Sequence, residues 1–249
     1  MIKLFLSTPC YGGKCMEQYA ISLLQFQGVC EKEKISLVLD TTENESLIPR
    51  ARNISVARFL QKTDCDYFMF IDSDIHFEPE AIIRLIRSGH DVAVAPYPKK
   101  SINWEQASEV IMDTEGADTH PHTLMYASDL VMNFSDAKNR VEDDFIEVLD
   151  GPTGFMLIKR SVLEKMVERY GKDLEVYHDS PGSDIEKYYA VFSCLIEKET
   201  RRYLSEDYAF CRRWQAMGGK IHAHILTTLG HCGSLGFAGQ LHLVPSITA

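Results

Sequence analysis

The sequence predicts an α/β fold, with a mostly parallel central sheet and helices on both of its faces. Two features carry this. Strand-like and helix-like stretches alternate from Ile2 to Pro98, the order of successive β-α-β units. The clearest strand candidates, Tyr67 to Ile71 and Val92 to Ala95, are apolar throughout, as strands covered on both faces must be.

Ile2 to Leu6 is a short apolar run that ends in the turn-rich Ser7-Thr8-Pro9-Cys10-Tyr11-Gly12-Gly13. Met16 to Phe26 has helical spacing, with Gly28 placed to close the helix. Ile35 to Leu39 is the second strand, ending at Asp40, and Ala51 to Leu60 the second helix. After the strand Tyr67 to Ile71, Glu78 to Arg87 forms a helix stopped by Gly89, and Val92 to Ala95 follows as a strand.

From Lys99 to Asp144 the chain is polar and weakly periodic; it reads as long loops, with a hairpin at Thr123 to Phe134. Strand signals return at Phe145 to Leu149 and at Phe155 to Ile158, separated by Gly151-Pro152-Thr153-Gly154. Ser161 and Glu164 have capping-box spacing for a helix through Tyr170. Gly171 to Arg202 reads as irregular. A last helix runs from Ser205 to Gly218-Gly219 and leads into a strand at Ile221 to Leu226.

The 249 residues are enough for one sizeable core, as a single α/β domain or one with an appended lobe. A net charge of −10 with no Lys/Arg run argues against nucleic acid as partner. A nucleotide remains compatible, because a divalent cation can supply positive charge locally. The seven cysteines include no C-x-x-C pair, which excludes a disulfide framework or zinc ribbon and indicates a reducing, cytoplasmic compartment. Met1 to Leu6 is too short for a signal peptide, and no window approaches the ~20 apolar residues of a membrane span.

The sharpest local signal is Phe70-Ile71-Asp72-Ser73-Asp74. Two carboxylates at i and i+2 directly after an apolar strand point the same way. They emerge at the carboxyl edge of a parallel sheet, where open α/β folds bind ligands. Such hard oxygen donors suit Mg²⁺ or Mn²⁺ bridging a diphosphate. The plainer alternative is a pair of turn residues before the next helix.

Two further segments stand beside it. Ser205-Glu206-Asp207 opens the last helix, where N-capping and the helix dipole would by themselves explain both acids. His231 is flanked by Gly230 and, two residues on, Gly233, which allow close backbone approach to a ligand; a solvated loop histidine is the alternative. His222 and His224 share one side of a strand and read as a solvated face.

Taken in order, Ser7-Thr8-Pro9, Pro49-Arg50-Ala51-Arg52-Asn53, Phe70-Ile71-Asp72-Ser73-Asp74, Gly151-Pro152-Thr153-Gly154-Phe155, Ser205-Glu206-Asp207 and His231 resemble the motifs of GT-A-fold glycosyltransferases, Rossmann-like enzymes. Within that fold the chain is similar to small viral and bacterial members. The resemblance spans the whole chain and implies one GT-A domain over residues 1–249. Residues 1–98 would be the nucleotide-sugar half and 99–249 the acceptor and catalytic half.

The resemblance also implies roles. Thr8 and Pro9 would line the pocket for the donor's base, with Asp40 approaching the nucleoside. Arg52 and Asn53 would lie near the ribose or diphosphate, and Gly154 would border the donor sugar. Asp72 would contact the ribose or a metal-bound water, Asp74 would bind Mn²⁺ or Mg²⁺ directly, and His231 would complete the ligands. Asp207 would be the catalytic base, with Glu206 as the neighbouring carboxylate. The donor would be a nucleotide sugar, a UDP-sugar by resemblance, and the acceptor a glycan or glycoconjugate hydroxyl. No acceptor pattern matches Lys99 to Asp144; Trp104 there suits stacking on a sugar or packing a loop onto the core.

Three rival classes fit less well. A phosphohydrolase with an Asp-x-Asp pair carries it at the first strand, whereas here it follows a later one. A sugar-nucleotide pyrophosphorylase needs a basic glycine-rich loop after the first strand, and Gly12-Gly13-Lys14 matches it only in part. A non-catalytic nucleotide-sugar-binding module would hold donor without turnover.

Overall fold

The computed structural model describes residues 1–101, 103–113, 129–134, 140–178, 184–233 and 237–239. Its apolar runs assemble into one large sheet. Strand β1 (Ile2–Cys10) pairs in parallel along its length with β2 (Ile35–Glu43), from Ile2 opposite Ile35 to Cys10 opposite Glu43. On its other side β1 pairs in parallel with β3 (Tyr67–Ile71), from Leu4 opposite Tyr67 to Ser7 opposite Phe70. Beyond Ser7, β1 has a partner on one side only, and there Pro9, which has no N–H to give, is tolerated within a strand.

Numbering strands along the chain, β4 is Ile75–His76, β5 Val92–Val94, β6 Asn133–Phe134, β7 Val141–Glu142, β8 Phe145–Asp150, β9 Phe155–Lys159 and β14 Ile221–His224. The sheet order is β2-β1-β3-β9-β5-β14-β8-β6, with β7 also on β8. Strands β1, β2, β3, β5 and β14 run parallel, while β9 and β8 are antiparallel to their neighbours. The sheet is therefore mostly parallel, as expected, with β9 inserted between β3 and β5.

The helices are α1 (Glu17–Cys30), α2 (Ile48–Lys62), α3 (Pro79–Ser88), α4 (Trp104–Asp113), α5 (Arg160–Leu174) and α6 (Glu206–Gln215). Strand alternation divides the core in two. Phe68 and Phe70 join Val56 and Phe59 of α2, Leu163 of α5 and Phe210 of α6; Met69 and Ile71 join Phe26 of α1 and Ile82 and Leu85 of α3. With α1 and α2 on opposite faces, the winding reverses at β1, so the carboxyl ends of β1 and β3 border the crevice where such sheets bind ligands.

Several elements differ from the expectation. The Ser7-Thr8-Pro9 loop and Asp40 lie inside strands, because backbone pairing between β1 and β2 outlasts the apolar run. Helix α1 passes through Gly28, whereas Gly89 does close α3 in the left-handed conformation (φ 68°). Helix α5 begins at Arg160 with no side-chain cap, and Glu164 lies 3.7 Å from Arg160. Among its described residues, Lys99 to Asp144 holds α4 and two short strands, β6 and β7, instead of loops alone; most of the expected hairpin at Thr123 to Phe134 lies outside the described residues. The described residues of Gly171 to Arg202 are not irregular throughout: they contain the end of α5 and the strands β10 (Glu175–Tyr177), β11 (Lys187–Tyr189) and β12 (Leu195–Ile196). β10 pairs with β11, and β12 pairs with β13 (Tyr203–Leu204).

All seven cysteines are free thiols. No helix among the described residues is long and apolar enough to cross a membrane.

Candidate active site

The chain turns sharply after β3. Residues Asp72 to Ile75 form a turn closed by the Ile75 N–H donating to the Asp72 carbonyl (3.1 Å). Strand alternation therefore does not apply, and the two acids have different partners. The turn is held from three sides: Asp72 N–H donates to Gly154 O (3.0 Å), Met16 N–H to Ser73 O (2.8 Å) and Cys232 N–H to Asp74 O (2.7 Å).

His231 arrives beside Asp74 through a small sheet formed by β4, β15 (Leu229–His231) and β16 (Phe237–Gly239), in which His231 lies opposite Ile75. Its Nε2 is 3.6 Å from Asp74 Oδ1, and its Nδ1 is 2.8 Å from the carbonyl oxygen of Pro98. A carbonyl can only accept, so Nδ1 carries a proton, and Nε2 is the ring nitrogen that faces the carboxylate. Lys100 adds a second partner, its ammonium donating to Asp74 Oδ2. Burial works to raise the Asp74 carboxyl, but His231 and Lys100 outweigh it and hold it below its ordinary value.

Asp72 faces the other way in chemical terms. Arg52, on the inward face of α2 and 3% exposed, donates from Nη2 to Asp72 Oδ1 (2.9 Å) and from Nε to Glu206 Oε1 (3.1 Å). Burial would disfavour the guanidinium charge; Asp72 and Glu206 outweigh it and keep the arginine firmly charged. Its remaining Nη1 has no partner.

Packing explains the reach of α6 to this point. Phe210 stacks on Phe192 (centroids 4.4 Å, planes 6° apart), Phe192 meets Phe70 edge-on at 5.3 Å, and the Arg52 guanidinium lies 4.9 Å from the Phe70 ring centre.

Asp207, next to Glu206, is partly buried. Its Oδ1 accepts from the Tyr208 N–H (2.8 Å) and from the Ser205 hydroxyl. Ser205 thus makes no side-chain cap to the helix, contrary to the plain capping explanation. Burial pushes the Asp207 carboxyl up to about 6, with the Glu206 charge adding to the shift and the Ser205 bond opposing it. A carboxyl placed near neutrality by its surroundings suits proton transfer.

The remaining expected residues are more committed to structure. Thr8 is fully buried with its hydroxyl on that of Tyr19, whose phenol burial pushes up to about 12. Pro9 is half-buried beside Thr42. Asp40 accepts from Ser7 Oγ (2.9 Å) and Arg58 Nη1 (3.1 Å). Asn53 is buried, its amide donating to Pro49 O (2.7 Å) and accepting from the Phe192 N–H (2.9 Å). At Gly154 a Cβ would lie 2.3 Å from the Tyr97 hydroxyl, so the glycine is required by Tyr97.

Of the three expected metal ligands, Asp74 and His231 stand together, while Asp72 is engaged by Arg52. Among the described residues, no three His, Cys, Asp or Glu side chains converge as a metal site. Asp74 and His231 nonetheless fit a cation, since Lys100 already places a positive charge against that carboxylate.

Tyr97 and Lys100 escaped the sequence reading. Both follow β5 at the carboxyl edge of the sheet, and the rule that singled out Asp72 and Asp74 after β3 would have singled them out too. Trp104 is 69% exposed at the start of α4, so it does not pack a loop onto the core.

No protein-family model and no curated protein matches the chain. Among solved structures it is similar to one described as "Crystal Structure of A197 from STIV", at 18% identity over 94% of this chain and 87% of that one, with a TM-score of 0.49. Another is described as "Crystal structure of a glycosyltransferase involved in the glycosylation of the major capsid of PBCV-1", at 11% identity over 70% of this chain and 68% of that one, with a TM-score of 0.33. At those values the reading of function rests on the site's own chemistry.

Proposed function

We propose that the protein is a metal-dependent, inverting glycosyltransferase that moves a sugar from a nucleotide sugar, a UDP-sugar, to a glycan hydroxyl. The observation that carries this is Asp207: a carboxyl raised to about 6, joined through neighbouring Glu206 and Arg52 to the Asp72–Asp74 turn at the carboxyl edge of the sheet. A proton acceptor and an anion-handling turn in one charged network are what sugar transfer from a diphosphate requires.

In this reading Asp207 takes the acceptor hydroxyl's proton as the acceptor oxygen bonds to the anomeric carbon. The bond from that carbon to the diphosphate oxygen breaks, and a nucleoside diphosphate leaves. Asp74 and His231 would hold Mn²⁺ or Mg²⁺, which when bound supplies Lewis-acid stabilisation of the leaving group. Arg52, with its unpaired Nη1, holds Asp72 and Glu206 in place. The uridine preference rests on motif resemblance alone. We take residues 1–249 as one domain, with the donor on 1–98 and the acceptor on 99–249, where exposed Trp104 offers a surface for sugar stacking.

The test is incubation with a panel of nucleotide sugars and Mn²⁺, measuring released nucleoside diphosphate. Turnover of one donor that stops with chelator and returns with metal is the expected result. Asp74→Ala should lose more activity than Asp72→Ala. Full turnover in excess chelator would overturn the metal assignment, and donor binding without release would leave a binding module.

A further inference from the structure

The ammonium of Lys100 sits on Asp74 Oδ2, and His231 Nε2 stands 3.6 Å from Asp74 Oδ1. Lys100 reaches this place from a fixed stretch of backbone. Pro98 bridges Leu130, the Lys99 N–H donates to Asp129 O (2.7 Å), the Val131 N–H donates to Tyr97 O (2.9 Å), and Pro98 O receives His231 Nδ1–H. The backbone that orients the imidazole is thus the one that delivers the lysine. An ammonium and a divalent ion repel each other, and both seek the same carboxylate.

We propose that Lys100 is a built-in competitor for the divalent cation: it neutralises Asp74 in the free protein and must leave before metal binds. This deepens the metal-binding reading above and rests on it. The displaced ammonium keeps its tether at the carboxyl edge of the sheet and needs a new anionic partner. The diphosphate of a nucleotide arriving with the metal is such a partner. Metal and nucleotide then reinforce each other's binding, and the coupling is reciprocal. Bare metal is held weakly, so the cation enters together with the donor.

The experiment measures Mn²⁺ binding to the whole protein, by the loss of the free-ion electron paramagnetic resonance signal, with and without UDP. Lys100→Met keeps the length of the side chain and removes its charge, and Lys100→Gln is a second neutral variant. The expected result is Mn²⁺ binding without nucleotide that is tighter by about tenfold or more in both variants, the effect of freeing a charged hydrogen bond. UDP should tighten Mn²⁺ binding in the wild type more than in either variant. Equal or weaker Mn²⁺ binding by Lys100→Met and Lys100→Gln, with wild-type binding intact and abolished by Asp74→Ala, overturns the competition and leaves the metal site standing. No Mn²⁺ binding by any form, even with UDP, overturns the metal reading and the competition with it.

Discussion

Arg52 reaches Glu206 across 154 positions of sequence, donating Nε–H to Oε1 over 3.1 Å, and with its other arm it holds Asp72. The two acids that open α6 are thereby given different tasks. Glu206 neutralises a buried guanidinium; Asp207 makes no ion pair among the described residues, and burial keeps its carboxyl near neutrality.

That division predicts opposite phenotypes. Glu206→Gln leaves Arg52 with one charged partner in place of two and should lower stability by roughly 1–3 kcal/mol. Asp207→Asn should lower kcat by about 10²-fold or more with donor KM nearly unchanged. Denaturant titrations and steady-state kinetics on both variants check this. An inactive Glu206→Gln of full stability beside an active Asp207→Asn would reverse the roles.

The raised Asp207 carboxyl also sets a pH dependence. Activity should rise with pH through about 6 as the base ionises. For stability the sign is opposite. A carboxyl whose folded value lies above its ordinary 3.8 contributes stability that is present below pH 3.8 and lost as pH rises through about 6. Asp207→Asn removes that loss. Its melting temperature should exceed the wild type's by a margin that opens between pH 4 and 6 and then stays level. A margin independent of pH would show that the carboxyl is not perturbed.

Gly154 carries no side chain because Tyr97 fills the space where one would begin. Gly154→Ala puts a Cβ 2.3 Å from the hydroxyl and 2.5 Å from Cζ of a buried ring. Overpacking of this kind costs about 1–3 kcal/mol. Tyr97→Leu should recover part of that loss in the double variant, read by thermal denaturation; additive losses would mean that the two sites are not in contact.

His222 and His224 lie on β14, an interior strand paired with β5 and β8, which corrects their reading as a solvated face. His224 is buried on Thr227 Oγ1 (2.7 Å), and His222 stacks on His90 at 3.7 Å with its Nδ1 unpartnered. Burial lowers His222 to about 4, with His90 and Lys220 adding and Glu147 and Asp91 opposing. Stability from the neutral ring is complete above pH 6.5 and is lost as pH falls towards about 4, because the unfolded chain takes up the proton first. His222→Asn should flatten the fall in melting temperature across that window; an unchanged slope would assign the acid sensitivity elsewhere.

Trp104 is exposed, so Trp104→Ala should leave the melting temperature within the small range of surface substitutions, about 0.5 kcal/mol. If it stacks on the acceptor sugar, acceptor KM rises while donor KM does not. A drop in thermal stability with acceptor KM unchanged would return it to a packing role.

What the sequence by itself determined is local. The apolar run Tyr67–Ile71, the acids that follow it and the stop at Gly89 are visible because strand burial, chain turning and helix termination depend on residues a few positions apart. The mostly parallel sheet follows from the order of such runs. Tertiary structure decided what each polar residue meets. The antiparallel β9 between β3 and β5 brings the Gly154 carbonyl to the Asp72 amide, and the register of β15 on β4 brings His231 to Asp74. Lys100 on Asp74, Arg52 between Asp72 and Glu206, and Asn53 spent on Phe192 were likewise beyond reach of periodicity. A side chain's length and charge are written in the chain, but its partner is selected by strand order and register, which distant segments settle together when they pack.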